Sequence, residues 1–160
     1  MSGTLRSHVQ VVRESQAPDL GLGLRAAADD EVEAVEGGRK LALEVSIPIL
    51  RIFDESLARE FYVDFLGFKV DWEHRFAPDL PLYMQVSKDA CVLHLTEHHG
   101  DCSPGAAVRV ATTELESYQK ALAEKRYRGA RPQIEVMPWG TRDMDVLDPF
   151  GNRLTFSQSE

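Results

Sequence analysis

The tightest constraint in this sequence is an order of elements that occurs twice. From Ile47 to Phe53 the chain is β-type, with Pro48 near the start, where a missing donor is tolerable. Asp54 then stands as an N-cap, Leu57, Ala58, Phe61, Tyr62 and Phe65 recur at helical spacing, and Gly67 sits where a C-terminal glycine belongs. Strand-like runs follow at Phe68–Phe76, Leu82–Ser87 and Cys91–Thr96. The pattern then restarts. Ala106–Ala111 reads as a strand, and Thr113 with Glu116 three residues on has capping-box spacing. Leu115, Tyr118, Ala121 and Leu122 mark one helix face, and Gln133–Met137, Thr141–Leu147 and Leu154–Ser157 supply three more strands. Asp148-Pro-Phe-Gly151 has the residues of a type I turn. Strand–helix–three strands, twice over, predicts an α+β chain of two duplicated modules, at about 47–100 and 105–158.

Residues 1–46 read differently. Ala17–Leu24 is breaker-rich, Arg25–Glu36 suits a short acidic helix ended by Gly37-Gly38, and a strand is expected at Leu41–Val45. This part is expected to be an extension, and residues 47–160 the domain. The longest apolar run, Ile47–Leu50, is far short of the ~20 residues a bilayer span needs, and no apolar stretch follows the N-terminus, so neither a membrane nor a secretory signal is expected. Two lone cysteines, Cys91 and Cys102, suit a reducing cytoplasm. A net charge of −8 argues against nucleic acid and mildly favours cationic ligands, although acidity also simply keeps a small protein soluble.

The element order, together with Leu50-Arg-Ile-Phe-Asp54, Phe61-Tyr62, Phe65-Leu-Gly-Phe68 and Asp148-Pro-Phe-Gly-Asn-Arg153, resembles the vicinal oxygen chelate superfamily. That superfamily holds glyoxalase I, extradiol dioxygenases, fosfomycin-resistance enzymes and bleomycin-resistance proteins. Pro138-Trp-Gly140, a strand, and then Asp-Pro-Phe-Gly-Asn look most like the bleomycin-resistance branch. The resemblance implies two βαβββ modules whose curved mixed sheet wraps a cavity, and a homodimer. In the metal-dependent members, His and Glu ligands lie on the first and last strands of each module. Carried over, those positions fall at Ile47 (Ile49 after a slip of two), His94, Ala106 and Thr155. Only His94 can coordinate, so no metal and no other cofactor is expected.

Two polar clusters remain. His94, Glu97, His98, His99 and Asp101 form the denser one, and Trp72-Glu-His-Arg75 the other. The bland reading is that His98 to Asp101 is a polar loop leaving a strand. An adjacent His-His pair is a poor chelate on a strand, since neighbouring side chains point to opposite faces. The functional reading takes Trp72 and Trp139 as planar walls, Phe76 and Tyr83 as cavity lining, and Glu73, His74 and His94 as polar contacts. Phe53 could extend the wall, and Asp143 and Asp145 could face a cationic group. No phosphate loop, dinucleotide fingerprint or nucleophile motif is present.

The leading expectation is a metal-free protein that sequesters a bulky, aromatic, cationic antibiotic, or a metabolite, in a dimer cavity. A glyoxalase- or dioxygenase-like enzyme rebuilt around His74, His94 and Glu97 is the second. A non-catalytic interaction module is the third.

Overall fold

In the computed structural model, residues 45–160 are described, and they lie within one compact unit. The helix expected at Arg25–Glu36 and, but for the irregular Val45, the strand expected at Leu41–Val45 lie outside the described residues.

The duplicated order is present. β1 (Ile49–Arg51), α1 (Glu55–Ala58), β2 (Lys69–His74), β3 (Tyr83–Lys88) and β4 (Cys91–Thr96) form the first module. β5 (Ala107–Ala111), α2 (Leu115–Lys125), β6 (Ile134–Met137), β7 (Thr141–Leu147) and β8 (Arg153–Ser159) form the second. The sheets run β1-β4-β3-β2 and β5-β8-β7-β6. In each, the outer strand before the helix joins the last strand in parallel, β1 to β4 and β5 to β8, and the other pairs are antiparallel. Among the described residues, no helix is long and apolar enough to cross a membrane.

Asp54 caps α1 as its sequence position predicts, accepting from the Leu57 N–H at 2.8 Å. The helix then widens over Arg59–Phe65 into π-type turns, with Leu66 N–H donating five residues back to Phe61 O. The wider turn broadens the buried side, so adjacent Phe61 and Tyr62, and Phe65, are all essentially solvent-free. Gly67, at φ +78°, stops it in the left-handed region that glycine enters without a Cβ penalty.

α2 begins differently from the expected capping box. Glu114 is the N-cap residue and Thr113 caps nothing. The first orphan donor, Leu115 N–H, goes to Gln158 Oε1 on β8 at 3.0 Å, and Glu116 pairs with Arg142 on β7. A tertiary partner has taken the role of a local cap.

Each sheet buries its helix side. Leu50, Met84, Val86, Leu93 and Leu95 meet the first helix, and Met144, Val146, Leu154 and Phe156 lie with Leu115 and Leu122 in the same continuous core. Removal of apolar surface from water, at roughly 25 cal/mol per Å², is the main force holding the sheets on their helices. The modules are joined by polar contacts as well. Asp148 accepts from Tyr62 Oη (2.7 Å), Phe150 N–H (2.9 Å), Asn152 N–H (2.7 Å) and Asn152 Nδ2 (2.7 Å). Asn152 Nδ2 also reaches Arg51 O on β1. The turn motif at 148–152 is therefore a buried staple. Burial, and then the neighbouring Asp148 carboxylate, push the Tyr62 hydroxyl well above its ordinary pKa. From α2, Lys125 donates to Asp64 O and Phe65 O, and Tyr118 to Leu66 O, filling carbonyls that the end of the first helix leaves open.

Candidate functional site

The polar face of the first sheet is set by strand period and one irregularity. With Met84, Val86, Leu93 and Leu95 turned to the core, Tyr83, Gln85, Ser87, His94 and Thr96 point the other way. The register between β2 and β3 shifts between Val70 and Trp72. This bulge puts both Asp71 and Trp72 over that face: Trp72 pairs with Gln85, and Asp71 bonds the Gln85 and Ser87 side chains. His74 joins them opposite Tyr83.

The Trp72 and Tyr83 rings stack at 5.9 Å and 7°, and His94 stands edge-on to both, at 5.4 and 5.3 Å. Phe76, in the loop after β2, is edge-on to His74 (4.9 Å) and His98 (5.9 Å). The face is thus an aromatic wall. His94 is hydrogen-bonded at both nitrogens, Nδ1 to Tyr83 Oη (2.8 Å) and Nε2 to Gln85 Oε1 (3.0 Å). Burial lowers its pKa, so the ring is neutral at neutral pH. Burial also raises the Tyr83 pKa, with Asp101 and Cys102 adding to the effect. Trp72 Nε1 and His98 Nε2 are buried without a partner.

Of the residues named from sequence, Trp72, His74, Phe76, Tyr83 and His94 come together. Glu73 does not. It pairs with Met84 on the helix side of the sheet and is held by Arg59. Trp139 lies at the β6–β7 turn of the second sheet, 66% exposed, and within one chain it is not part of the wall. Phe53 packs edge-on against Phe150, with the Arg51 guanidinium over its ring. Glu97, placed with His74 and His94 in the enzyme reading, is engaged elsewhere: it accepts from Leu82 N–H and lies 3.5 Å from Arg75. His99 and Cys102 form an isolated bridge in the loop beyond β4.

Asp143 is not free to face a ligand cation. It is 3% exposed and accepts from Arg109, Ser157 and Thr141 on the polar face of the second sheet. Burial alone would raise its pKa, but the Ser157, Arg109 and Thr141 hydrogen bonds outweigh that and hold it below the ordinary carboxylate range. Asp145, exposed, accepts from Thr155.

The donor positions do not suit a metal of the kind the resemblance implies. β1 meets β4 with Ile49 opposite His94, and β5 meets β8 with Arg109 opposite Thr155. An alkyl chain and a guanidinium flank the one imidazole and the one hydroxyl. Among the described residues, no three His, Cys, Asp or Glu side chains are grouped to hold an ion.

Sequence reasoning missed Asp71, Gln85, Ser87 and Thr96. Tyr83-x-Gln85-x-Ser87 alternates with apolar residues, and that period could have found the two on β3. The bulge that brings Trp72 onto the same face as Asp71 has no local signature in the sequence.

Two mixed sheets, each built from a strand–helix–three-strand module, define the paired βαβββ class of fold. A family model described as "Glyoxalase superfamily protein" matches residues 30–160, and the chain belongs to that superfamily. Several solved structures share the fold. A bleomycin-binding protein complexed with bleomycin is 19% identical, with TM-score 0.56 over 74% of this chain and 100% of that one. TnmS3, an antibiotic binding protein from Streptomyces sp. CB03234, is 21% identical, with TM-score 0.57 over 75% and 99%. A glyoxalase/bleomycin resistance protein/dioxygenase superfamily member from Sphaerobacter thermophilus DSM 20745 is 23% identical, with TM-score 0.57 over 74% and 100%. At these identities the likeness is one of fold. No curated protein matches the sequence.

Proposed function

We propose that this protein binds and sequesters a flat, cationic aromatic small molecule of the antibiotic class, without chemical change, on the first-sheet wall. The observation that carries the reading is the parallel Trp72–Tyr83 pair backed by a doubly hydrogen-bonded, neutral His94. Such a surface offers π-faces to a planar ligand and an attraction for a cation. A histidine with both nitrogens engaged is poorly placed as a general base, and the donor set does not suit a metal, so retention of the ligand is the better supported role. Two relatives in fold carry antibiotic-binding names, which agrees with this reading. We take the working unit to be a homodimer whose second subunit covers the open wall. Among the described residues, the exposed Phe53, Val136, Trp139 and Leu147 are part of the apolar surface available for that contact.

The test is a fluorescence titration with bleomycin, metal-free and copper-loaded, with sedimentation analysis alongside. Saturable quenching at one drug per subunit, lost in Trp72→Phe, supports sequestration. A flat response to both drug forms removes bleomycin-like ligands from the proposal.

A further inference from the structure

The hydrogen bonds behind the wall have a direction, and it starts at a carboxylate. Asp71 is acceptor-only when ionised, and its pKa lies below the ordinary range: burial would raise it, but the Gln85, Ser87 and Lys69 contacts prevail. The Gln85 group 3.0 Å from Asp71 Oδ2 must therefore be the NH₂ end of the amide. That leaves Gln85 Oε1 facing His94 Nε2 at 3.0 Å. An amide oxygen only accepts, so Nε2 carries the imidazole proton. His94 Nδ1 is then a bare lone pair and must receive the Tyr83 O–H, 2.8 Å away. Each step follows from donor and acceptor inventory, and the tautomer is assigned by the network. The end result is a phenol oxygen at the wall whose only proton is already spent.

A second chain ends in the same way. Thr96 Oγ1 donates to Asp101 Oδ2 at 2.8 Å, using its one proton. It accepts from His98 N–H at 3.0 Å, and the His98 Nδ1 lying 3.2 Å away must also donate to it. In the neutral ring, His98 Nε2 is then an acceptor, buried and unpartnered, beside Phe76 and Tyr83.

We propose that Asp71 and Asp101 are positioning residues that polarise two side-chain relays, Asp71–Gln85–His94–Tyr83 and Asp101–Thr96–His98. The first relay leaves Tyr83 Oη an acceptor at the wall and the second leaves His98 Nε2 without a donor beneath it, so the site selects planar ligands that present N–H donors. The ligand class is an aromatic amidine, guanidine or amine rather than a carboxylate. The ligand clause rests on the function proposed above, whereas the relay itself is a property of the unliganded protein. Asp71 follows core-facing Val70 and so faces the wall by regular alternation, and the bulge brings Trp72, which alternation would have turned to the helix side, onto the same face beside the origin of the first relay.

The experiment is NMR of protein labelled with imidazole-¹⁵N histidine, near pH 7.5, with benzamidine and benzoate as probes. The two have the same flat shape but opposite charge and hydrogen-bonding sense. Expected for the wild type is a single neutral His94 tautomer protonated at Nε2. Asp71→Asn is isosteric, and its amide can point either way, so both tautomers should appear. Benzamidine should shift the His94 resonances saturably and benzoate should not, and benzamidine affinity should fall roughly three- to tenfold in Asp71→Asn, the range for one hydrogen bond. A His94 protonated at Nδ1 in the wild type, or a single unchanged tautomer in a folded Asp71→Asn, overturns the relay. Benzoate binding as well as benzamidine, or neither shifting His94, overturns the acceptor surface. Bleomycin failing to bind while the relay behaves as expected separates failure of the proposed drug from failure of this inference.

Discussion

The two sheets share a topology and present opposite kinds of polar face. On the first, Tyr83 through His94, and His98 through Thr96, are tied back to carboxylates at the far ends of their chains, and Tyr83 Oη and His98 Nε2 are left as acceptors without a donor. On the second, Asp143 gathers Arg109, Ser157 and Thr141 into one neutral knot, with Arg109 Nη2 lying within donating distance of Asp143, Ser157 and Thr141. One face keeps unspent hydrogen-bonding capacity and the other consumes it. Duplicated backbones thus give a pair of similar platforms, and the side chains decide which is open to a ligand. Fold likeness alone says nothing about that choice.

The largest effect should come from erasing the joint that the two platforms share. Asp148→Ala would leave Tyr62, Asn152 and two backbone N–H groups without their buried acceptor. A loss of about 3 kcal/mol or more is expected by urea unfolding, with both sheets melting in one transition. Two separate transitions would mean that the modules are independent after all. Next in size is ligand binding: Trp72→Ala should weaken bleomycin binding at least about tenfold, since ring stacking and its area are both lost. Trp139→Ala on the other sheet should change a monomer's affinity by less than about twofold, and a large loss there would place Trp139 in a dimer site.

Acid should separate the faces by pH. The folded-state pKa values of His94 and Asp143 are both lowered, so each contributes stability at high pH that is lost as pH falls through the window below its ordinary value. That window opens below 6.5 for His94 and below 3.8 for Asp143. Stability measured against pH should lose its first step in His94→Gln and its later one in Asp143→Asn. The opposite assignment would contradict the burial of His94 and the hydrogen bonds that hold Asp143. Smallest is Glu73→Gln. Its ion pair with Arg59 is half-exposed, so about 1 kcal/mol or less is expected, with unchanged ligand affinity because the side chain lies on the helix side.

Much of the architecture was legible in the chain. Asp54, the Leu57–Phe65 spacing and Gly67 mark the first helix because cap, period and stop agree. Asp148-Pro-Phe-Gly marks a turn because Asp and Gly each meet a local geometric need. The site was only partly legible. Grouping Glu73 with Trp72 ignored that adjacent strand residues face opposite ways. Grouping Trp139 with them relied on residue type, which carries no information about which sheet a ring stands on. Thr113 lost its capping role to Gln158, which lies 43 positions beyond the Leu115 N–H it receives, and Asp143 lost its free charge to Arg109. Long-range partners of that kind leave no local pattern.

Gly67 stops the first helix, but its own residues do not fill every carbonyl at its end. Its last carbonyls are gripped by Lys125 and Tyr118 from the other half of the chain. A protein severed in the 103–105 loop would therefore yield two pieces that each lack something only the other supplies. Expressed separately, they should be poorly soluble. Co-expressed, they should reassemble without a covalent link, which makes this chain a natural candidate for a split reporter whose rejoining also rebuilds the joint.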